Sequence, residues 1–396
     1  MSEISDRVVI VGASAAGIAT AEALRSNGFD GEIILIGEEP YLPYDRPPLS
    51  KQLLAGDQDF DFVRLASDEQ CRDARLELML GRRVARVEPS RKTVVLDNDQ
   101  AVAYDTLIIA SGVRPRTLPA TADLDYVVTL RGYDDAVRLR DRLETGARVL
   151  IVGAGFIGLE VAATAIKKGC DVHVVEPAPA ALSGRFPAEL VELIEDKHRD
   201  HGVKFHFGNV VETWHRADDG EVSSVTLRDR TELDVDVALV GIGTVPAVDW
   251  LEGSGLTLEN GVVCDERGLA GESIYAVGDV ANWYHPRIQR QLRVEHRLSA
   301  GEQAQVVAAD VTGAELPELD LPFFWTDQYD DKWQMYGYTH PDAQLEIVLE
   351  EPQSNRLVAV LKRDGRIESV IGKNAARQLI PYRRDLKTAN TLAPQS

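Results

Sequence analysis

The sequence predicts an α/β protein that contains two doubly wound parallel sheets followed by a smaller α+β domain. Two stretches carry this prediction: VVIVGASAAGIATAEAL at 8–24 and VLIVGAGFIGLEVA at 149–162. In each, an apolar strand runs into a glycine-rich bend and continues as an alanine-rich helical pattern. This order is typical of the first half of a βαβ unit, whose strands lie parallel. The length of 396 residues agrees with two or three domains, because one hydrophobic core stops growing at roughly 250 to 300 residues.

Charge and composition exclude several classes of function. Hydrophobic residues make up 44% of the chain and charged residues 27%, which is ordinary for a globular enzyme. The formal net charge of −21 argues against a nucleic-acid partner, because phosphate backbones are bound by clustered Lys and Arg. No apolar run approaches the roughly 20 residues of a membrane helix, and no signal peptide precedes the first strand. We therefore expect no membrane segment and a cytoplasmic location.

The cysteines do not form a recognisable reactive site. Cys71, Cys170 and Cys264 lie far apart in the sequence and form neither a C-x-x-C pair nor a metal-ligand spacing. Isolated thiols of this kind are more often buried packing residues than redox centres. We expect no metal site and no catalytic disulfide.

The second glycine turn has the complete dinucleotide-binding pattern G-x-G-x-x-G. Gly153 allows the tight turn, Gly155 lets the backbone approach a pyrophosphate, and Gly158 lets the helix pack on the strand. The pyrophosphate then binds the free N–H groups at the helix N-terminus, where Phe156 and Ile157 lie. The sequence therefore predicts a Rossmann-like dinucleotide-binding domain around this turn.

An acidic residue supports this site and indicates which nicotinamide cofactor it takes. The strand DVHVVE ends in Glu176, about 20 residues beyond the turn, where a carboxylate accepts the hydroxyls of the adenosine ribose. A carboxylate there repels a 2′-phosphate, and the neighbouring Pro177 and Ala178 supply no cation, so NADH is favoured over NADPH. Arg185 is the residue that would oppose this preference.

The first glycine turn is irregular, since Ser14 stands where the second glycine belongs. Gly12 and Gly17 supply the turn and the helix packing, and the strand EIILIGE ends at Glu38, again about 20 residues on. Two turns, each with its own ribose acid, favour two Rossmann-like nucleotide sites over two core strands that happen to end in glycine. The small Ser14 side chain either hydrogen-bonds a pyrophosphate or fits beside it, and the sequence leaves both readings open.

Two further strands resemble those of the flavoproteins that have two dinucleotide-binding domains. They are YDTLIIASGVRP at 104–115 and SIYAVGDVAN at 273–282. In that superfamily the first strand returns the chain toward an inserted NAD domain. The second places an aspartate, here Asp279, on the ribityl chain of FAD.

This resemblance implies a glutathione-reductase-like organisation of the chain. The C-terminal part has no glycine turn and contains short alternating strands such as AQLEIVLE and NRLVAVLK, which favours an α+β cap domain. The predicted bounds are an FAD-binding domain at 1–114 and 244–318, an NAD-binding domain at 115–243 and a cap domain at 319–396.

The stretch PYLPYDRPPLSK, residues 40–51, distinguishes between families of this superfamily. Disulfide reductases carry redox-active cysteines in this region, and NADH oxidases and coenzyme A disulfide reductases keep one, whereas this chain has none. The stretch closely resembles the ferredoxin reductases of oxygenase systems. The F-x-G-x-x-x-H fingerprint of Baeyer–Villiger monooxygenases is absent. Other motifs match the ferredoxin reductases in order along nearly the whole chain: GFIGLEVAATAIKKG, YAVGD, WTDQY at 325–329 and NAARQLIPYRR.

The family resemblance implies cofactor contacts residue by residue. The first glycine turn would hold permanently bound FAD, and the second would receive exchangeable NADH. The implied FAD contacts are Gly12, Ser14, Ala15, Ala16, Gly17, Glu38, Arg46, Lys51, Val84, Arg131, Asp279, Arg297 and Trp325. The implied NAD contacts are Gly153, Gly155, Phe156, Ile157, Gly158, Glu176, Arg185 and Gly243.

The same resemblance implies three catalytic residues beside the reacting part of FAD. The Lys51 ammonium would stabilise negative charge on the reduced flavin, and pairing with Glu160 would hold it in place and offset its desolvation. Trp325 would cover the flavin edge from the cap domain, with an ordinary core tryptophan as the alternative. Arg297 departs from the family pattern, in which tryptophan is common at this position, and this puts partner choice or flavin access in doubt.

These features imply an NADH-dependent ferredoxin reductase. NADH gives up electrons in pairs, whereas an iron–sulfur protein accepts them singly, and FAD connects the two. The expected partner is an acidic [2Fe–2S] ferredoxin that supplies a cytochrome P450 or a ring-hydroxylating dioxygenase. The alternatives are a rubredoxin reductase, an NADH oxidase or quinone reductase, and a redox-sensing protein similar to the apoptosis-inducing factors.

An acidic ferredoxin would need a basic face on this acidic chain. The stretch HPRIQRQLRVEHR at 285–297 concentrates arginines just after Asp279 and is predicted to form part of a docking surface. A solvated positive stretch that balances local acids is the alternative. The four arginines are Arg287, Arg290, Arg293 and Arg297.

Overall fold

Residues 6–340 and 342–388 are described by the computed structural model. The predicted domains begin at residue 1 and end at residue 396, so residues 1–5 and 389–396 of those assignments lie outside the described residues. In chain order, the elements up to residue 115 are β1 (Arg7–Val11), α1 (Ala15–Ser26), β2 (Glu32–Gly37), α2 (Gln52–Ala55), α3 (Phe60–Val63), α4 (Asp68–Asp73), β3 (Leu76–Leu80), β4 (Val84–Glu88), β5 (Thr93–Leu96), β6 (Ala101–Ala103), β7 (Thr106–Ile109) and β8 (Val113–Pro115).

The remaining elements fall into three successive segments. The middle segment contains β9 (Val127–Val128), α5 (Tyr133–Arg140), β10 (Arg148–Val152), α6 (Phe156–Lys167), β11 (Asp171–Glu176), α7 (Ala188–Asp200), β12 (Lys204–Phe207), β13 (Val211–Arg216), β14 (Val222–Leu227), β15 (Glu232–Asp234) and β16 (Val237–Val240). The next contains β17 (Thr244–Pro246), β18 (Val262–Cys264), β19 (Leu269–Gly271), β20 (Ile274–Ala276), β21 (Ala281–His285), β22 (Arg290–Arg293) and α8 (Arg297–Thr312). The last contains β23 (Phe323–Gln328), β24 (Asp331–Gly337), β25 (Gln344–Glu351), β26 (Arg356–Arg363), β27 (Arg366–Lys373) and α9 (Ala376–Thr388).

The first glycine turn leaves the centre of a six-stranded sheet. The strand order is β19-β20-β7-β1-β2-β3, and β1 pairs in parallel with both β2 and β7. The sheet therefore combines strands from the beginning of the chain with β19 and β20 from beyond residue 260. The apolar runs that predicted these strands form the hydrophobic core between the sheet, α1 and α8.

The second glycine turn leaves the centre of a separate parallel sheet. Its order is β12-β11-β10-β16-β9, and all four pairings are parallel. An antiparallel sheet of β13, β14 and β15 packs beside it around a small apolar core. The chain passes between the two parallel sheets through β8 and β17, which pair with each other in antiparallel register. The two Rossmann-like domains that the sequence predicts are confirmed.

The C-terminal segment is the predicted α+β domain. Its five strands form an antiparallel sheet in the order β23-β24-β27-β26-β25, and α9 packs on β27. The stretches AQLEIVLE and NRLVAVLK supply β25 and β26. At the other edge of the sheet, β23 faces α6 and α8 and so brings the WTDQY motif to the two parallel sheets. Within the described residues, no helix is long and apolar enough to cross a membrane.

Close backbone approach requires a glycine where each long helix packs on its strand. A Cβ atom on Gly17 would lie 1.9 Å from the carbonyl oxygen of Gly12, and one on Gly158 would lie 2.3 Å from that of Gly153. These distances place α1 and α6 directly against the turns that precede them. Gly155 differs, because a Cβ atom there would have Nη1 of Arg185 as its nearest neighbour, 3.9 Å away. The backbone at Gly155 is therefore open to a ligand.

We predict that Gly158→Ala lowers the stability of the holoenzyme although alanine is the better helix former. The helix preference for alanine over glycine is about 1 kcal/mol, whereas forcing an extra carbon into a packed contact costs roughly 1–3 kcal/mol or more. Thermal unfolding followed by tryptophan fluorescence measures the difference. Gly155→Ala is the matched control and is expected to leave the midpoint nearly unchanged. Equal midpoints for the two variants would contradict the close approach at Gly158.

Candidate functional site

The first glycine turn leaves the start of α1 open to an anion. Ala15, Ala16 and Gly17 form the first turn of this helix, and first-turn N–H groups have no partner within a helix. Ser14 precedes the helix with a φ of −120°, so its backbone does not need the left-handed region that favours glycine. Its Oγ donates to the carbonyl oxygen of Tyr44 at 3.4 Å. The serine fits because its hydroxyl has a partner inside the protein.

The acid predicted to bind the first ribose lies just after β2. The Glu38 side chain is 62% exposed, and its Oε1 lies 4.0 Å from Nε of Arg83. An exposed carboxylate in this place can accept hydroxyl groups from a ligand. Val84 begins β4 and is buried in the hydrophobic core, and its contact with an adenine stays a prediction.

Two arginines and two acids meet beside the first glycine turn. Nη2 of Arg46 pairs with Oε1 of Glu39 at 2.6 Å, and its Nη1 donates to the carbonyl oxygen of Arg131 at 2.5 Å. Nη2 of Arg131 lies 3.3 Å from Oδ2 of Asp279. Burial and the nearby Arg46 lower the pKa of Arg131, while burial raises the pKa of Asp279 against the opposing effect of Arg131. Nε of Arg46 is buried and has no hydrogen-bond partner among the described residues.

These groups fit FAD. The first-turn N–H groups of α1 suit a pyrophosphate, and the unused donor of Arg46 suits a phosphate or another polar group of a nucleotide. His296, which the sequence did not single out, adds a second buried nitrogen at this site, its Nδ1, for which the described part of the chain supplies no partner. Burial lowers the pKa of His296 to about 4, so this ring is neutral at pH 7. It lies 5.3 Å from the ring of Phe324 and immediately before α8.

Lys51 and Glu160 form a buried ion pair, as the family resemblance implies. The lysine Nζ lies 2.8 Å from Glu160 Oε2, and the two side chains are 13% and 8% exposed. Ser50 Oγ donates to the same carboxylate oxygen at 2.5 Å, and Thr326 Oγ1 donates to Oε1 at 2.7 Å. Thr164 Oγ1 donates to the carbonyl oxygen of Ser50 at 2.8 Å, which fixes the PPLSK stretch on α6. The pair joins the stretch before α2, helix α6 and strand β23.

Trp325 lies on the face of β23 opposite to Thr326. Its half-buried ring stacks on Phe323 at 6.0 Å with an interplanar angle of 22°. Phe323 in turn stacks on Tyr336 at 4.2 Å. The side chain is neither fully buried nor fully exposed, which suits a ring that covers one side of a ligand. Its contact with the flavin edge remains a proposal.

The second glycine turn is bordered by charged side chains. The two carboxylate oxygens of Glu176 accept the N–H groups of Ala154 and Ala178 at 2.8 and 2.9 Å, which orients this acid toward the turn. Nη1 of Arg185 lies 3.9 Å from the ideal Cβ position of Gly155. A cation therefore lies at the turn, in the region where a pyrophosphate would approach. Gly243 follows β16 with a φ of +98°, a conformation that favours glycine.

An aromatic cluster that the sequence did not predict lies where the second glycine turn meets the cap domain. Phe156, the first residue of α6, packs on Phe324 at 4.9 Å and on Phe186 at 6.2 Å. Phe186 also contacts Trp333 at 5.6 Å. Ile157 beside it is 44% exposed. The sequence signal for this cluster is the run of aromatic residues FFW at 323–325, directly before TDQY.

The four arginines predicted to lie in the docking surface all have partners within the protein, and their contact with a ferredoxin stays a prediction. Arg293 is only 11% exposed and pairs with Glu295, and Nε of Arg297 lies 2.5 Å from Asp45 Oδ1. Intramolecular carboxylates therefore neutralise these two cations. The two others also have internal partners: Arg287 donates to the carbonyl oxygens of Leu386 and Lys387, and the exposed Arg290 donates to Tyr338 Oη at 2.7 Å.

Two protein-family models together match nearly the whole chain. Residues 6–304 match the pyridine nucleotide-disulphide oxidoreductase family, and residues 323–396 match the reductase C-terminal family. Rhodocoxin reductase from Rhodococcus erythropolis is 35% identical over 98% of this chain and 91% of its own length. The ferredoxin–NAD(+) reductase component of the anthranilate 1,2-dioxygenase system from Burkholderia cepacia is 36% identical over 99% of this chain and 96% of its own length.

Solved structures agree with this assignment. The covalent putidaredoxin reductase–putidaredoxin complex superimposes with a TM-score of 0.93 at 30% identity, covering 96% of this chain and 93% of the other. The ferredoxin reductase for the CYP199A2 system from Rhodopseudomonas palustris gives a TM-score of 0.90 at 33% identity, covering 98% of each chain. The resemblance inferred from the motifs is confirmed. The chain belongs to the pyridine nucleotide-disulphide oxidoreductase family and, within it, to the ferredoxin reductases of oxygenase systems.

Proposed function

We propose that this chain is an NADH-dependent ferredoxin reductase that passes electrons from NADH through FAD to a [2Fe–2S] ferredoxin. The observation that carries the proposal is the buried Lys51–Glu160 pair at the end of a stretch without cysteine. In disulfide reductases this region supplies the cysteines that receive electrons. Here the three cysteines Cys71, Cys170 and Cys264 are buried, unpaired and outside that stretch. Electrons that enter the protein therefore need an acceptor at its surface.

The residues of the first site bind and orient the flavin cofactor. When bound, FAD accepts an electron pair from NADH and releases the electrons one at a time. The α1 N-terminus holds the pyrophosphate, Arg46 and Arg131 supply cations, and Asp279 accepts the ribityl hydroxyls. Lys51 places a positive charge, fixed by Glu160, where negative charge develops on reduction. Because the pair is largely removed from water, its field is weakly screened.

The residues of the second site select NADH. The Glu176 carboxylate is held at the turn by two backbone N–H groups, so a 2′-phosphate would meet a fixed negative charge. Arg185 approaches the turn near Gly155, on the side of the pyrophosphate. We assign it to the shared pyrophosphate of both cofactors, which leaves the discrimination to Glu176.

The terminal acceptor is a cytochrome P450 or a ring-hydroxylating dioxygenase. Two of the relatives are named as reductases of the anthranilate 1,2-dioxygenase and the CYP199A2 systems. A cytoplasmic location agrees with the use of NADH and with three cysteines that remain thiols. A rubredoxin reductase, an NADH oxidase or quinone reductase and a redox-sensing protein are the competing functions.

Stopped-flow reduction of the holoenzyme tests the proposal. We expect NADH to reduce the flavin about tenfold or more faster than NADPH at equal low concentration, the ratio produced by roughly 1.4 kcal/mol of repulsion. The reduced enzyme should then reduce a [2Fe–2S] ferredoxin faster than rubredoxin, oxygen or a quinone. Rapid turnover with oxygen or quinone and none with any ferredoxin in a panel would contradict the proposal. Slow turnover with a long-lived NADH–flavin charge-transfer band would instead support the redox-sensing protein.

We further propose that an acidic ferredoxin docks beside the β21–β22 hairpin. Arg290 is exposed on this hairpin, and its guanidinium lies over the ring of Tyr338 at 5.3 Å. Arg287 binds the carbonyl oxygens at the end of α9, which holds the hairpin against that helix. Arg384 on α9 is 79% exposed, but its Nε lies 4.0 Å from Oδ1 of Asp385. Of the four arginines predicted for docking, Arg290 is therefore the exposed one whose side-chain partner among the described residues is a neutral tyrosine.

The charge-reversal variant Arg290→Glu is expected to raise the KM for an acidic ferredoxin about tenfold at low salt, because it turns an attraction into a repulsion. Higher ionic strength should shrink this effect through screening. Reduction of the flavin by NADH should not change. Arg230→Glu, at an 81% exposed arginine in the turn between β14 and β15, is the control for the same change in net charge. Equal KM values for the two variants at every salt concentration would exclude docking at Arg290.

A further inference from the structure

A directed series of hydrogen bonds leads from Glu160 into the cap domain. Thr326 Oγ1 donates to Glu160 Oε1 at 2.7 Å. Gln328 Nε2 donates to Thr326 Oγ1 at 3.2 Å. The two cap residues alternate with Trp325 and Asp327 along β23, so they share the face that points toward α6.

The series continues from the cap domain into α7 of the NAD domain. Gln328 Oε1 lies 2.9 Å from His198 Nε2, and the hydroxyl of Tyr329 lies 3.0 Å from His198 Nδ1. The Tyr329 ring stacks on His201 at 3.9 Å near the protein surface. Six side chains thus connect the stretch before α2 to α7, in the order Lys51, Glu160, Thr326, Gln328, His198 and Tyr329.

The carboxylate end fixes the direction of every bond in this series. An ionised Glu160 only accepts hydrogen bonds, so Thr326 must donate its single proton to it. Thr326 Oγ1 then accepts from the Gln328 amide, which turns the amide oxygen toward His198. His198 must therefore carry its proton on Nε2, and its Nδ1 accepts from the Tyr329 hydroxyl. One charge at Glu160 selects the tautomer of a histidine on another helix.

Each middle member of the series is removed from water. His198 is 0%, Thr326 1% and Gln328 3% exposed. Loss of one partner would leave a buried polar group unsatisfied, which costs roughly 1–3 kcal/mol. Burial also lowers the pKa of His198 to about 4, so this ring stays neutral at pH 7 and brings no second cation toward Glu160.

We propose that Thr326, Gln328 and His198 are positioning residues that hold the Glu160 carboxylate on Lys51. Oε2 of Glu160 binds Lys51 and Ser50, and Oε1 has Thr326 as its partner. Without the threonine hydroxyl the carboxylate loses its second anchor and can rotate, which moves the lysine charge. This inference rests on the proposed role of Lys51 beside FAD. It assigns a function to a series of residues that joins all three domains.

The test compares Thr326→Val with Thr326→Ser in the holoenzyme. Valine removes the hydroxyl at nearly constant volume, whereas serine keeps it. We expect valine to slow flavin reduction by saturating NADH about tenfold, with the KM for NADH unchanged, and serine to stay within about twofold of the parent. Thr312→Val, which removes a hydroxyl bound within α8, is the matched control. In a Lys51→Met background, Thr326→Val should have no further effect.

Two results would overturn the inference. The first is a rate of flavin reduction in Thr326→Val that equals the rate in the parent. An effect of Thr326→Val that is as large in the Lys51→Met background as in the parent would count in the same way. The second is a histidine NMR spectrum of the parent holoenzyme that shows His198 protonated on Nδ1 instead of Nε2 at pH 7. Because this measurement uses the parent protein, it does not depend on whether a variant folds. Ferredoxin takes part in neither experiment, so their failure is distinct from failure of ferredoxin reduction. An unchanged rate in Lys51→Met alone would count against the role of Lys51 itself.

Discussion

The ion pair between Lys51 and Glu160 is the interaction on which the geometry of the site depends. Lys51 comes from the stretch before α2, Glu160 from the helix after the second glycine turn, and the third anchor, Thr326, from the cap domain. A buried ion pair is a weak source of stability, because desolvation offsets much of the attraction between the charges. The pair instead fixes positions, because it brings three segments that are distant in sequence together at one carboxylate.

The two glycine turns show which parts of the site a sequence can predict. Gly17 and Gly158 are required by atoms within a few residues of them, so local spacing was sufficient to find them. Ser14 looked irregular because the motif describes the usual residue at a position and not its backbone angle. With a φ of −120° the position accepts a side chain, and the hydroxyl has a partner at Tyr44.

The features that the sequence did not show are contacts between distant segments. A run of arginines indicates positive charge, but it does not show that Asp45, 252 residues away, neutralises Arg297. The role of His198 was equally hidden, because α7 reads as an ordinary amphipathic helix and its partner Gln328 lies 130 residues further on. Thr326 and Gln328 were visible only as letters of the WTDQY motif. Alternation along a strand could have placed them on one face, but their partners could not be deduced.

The reduction potential of the bound flavin tests the central claim most directly. If a fixed lysine charge favours the reduced cofactor, Lys51→Met should make the two-electron potential more negative by about 30 mV or more, which corresponds to a tenfold change in equilibrium. The exposed Lys92, on the turn between β4 and β5, provides the control Lys92→Met, which should leave the potential unchanged. A potential in Lys51→Met equal to that of the parent would contradict the account.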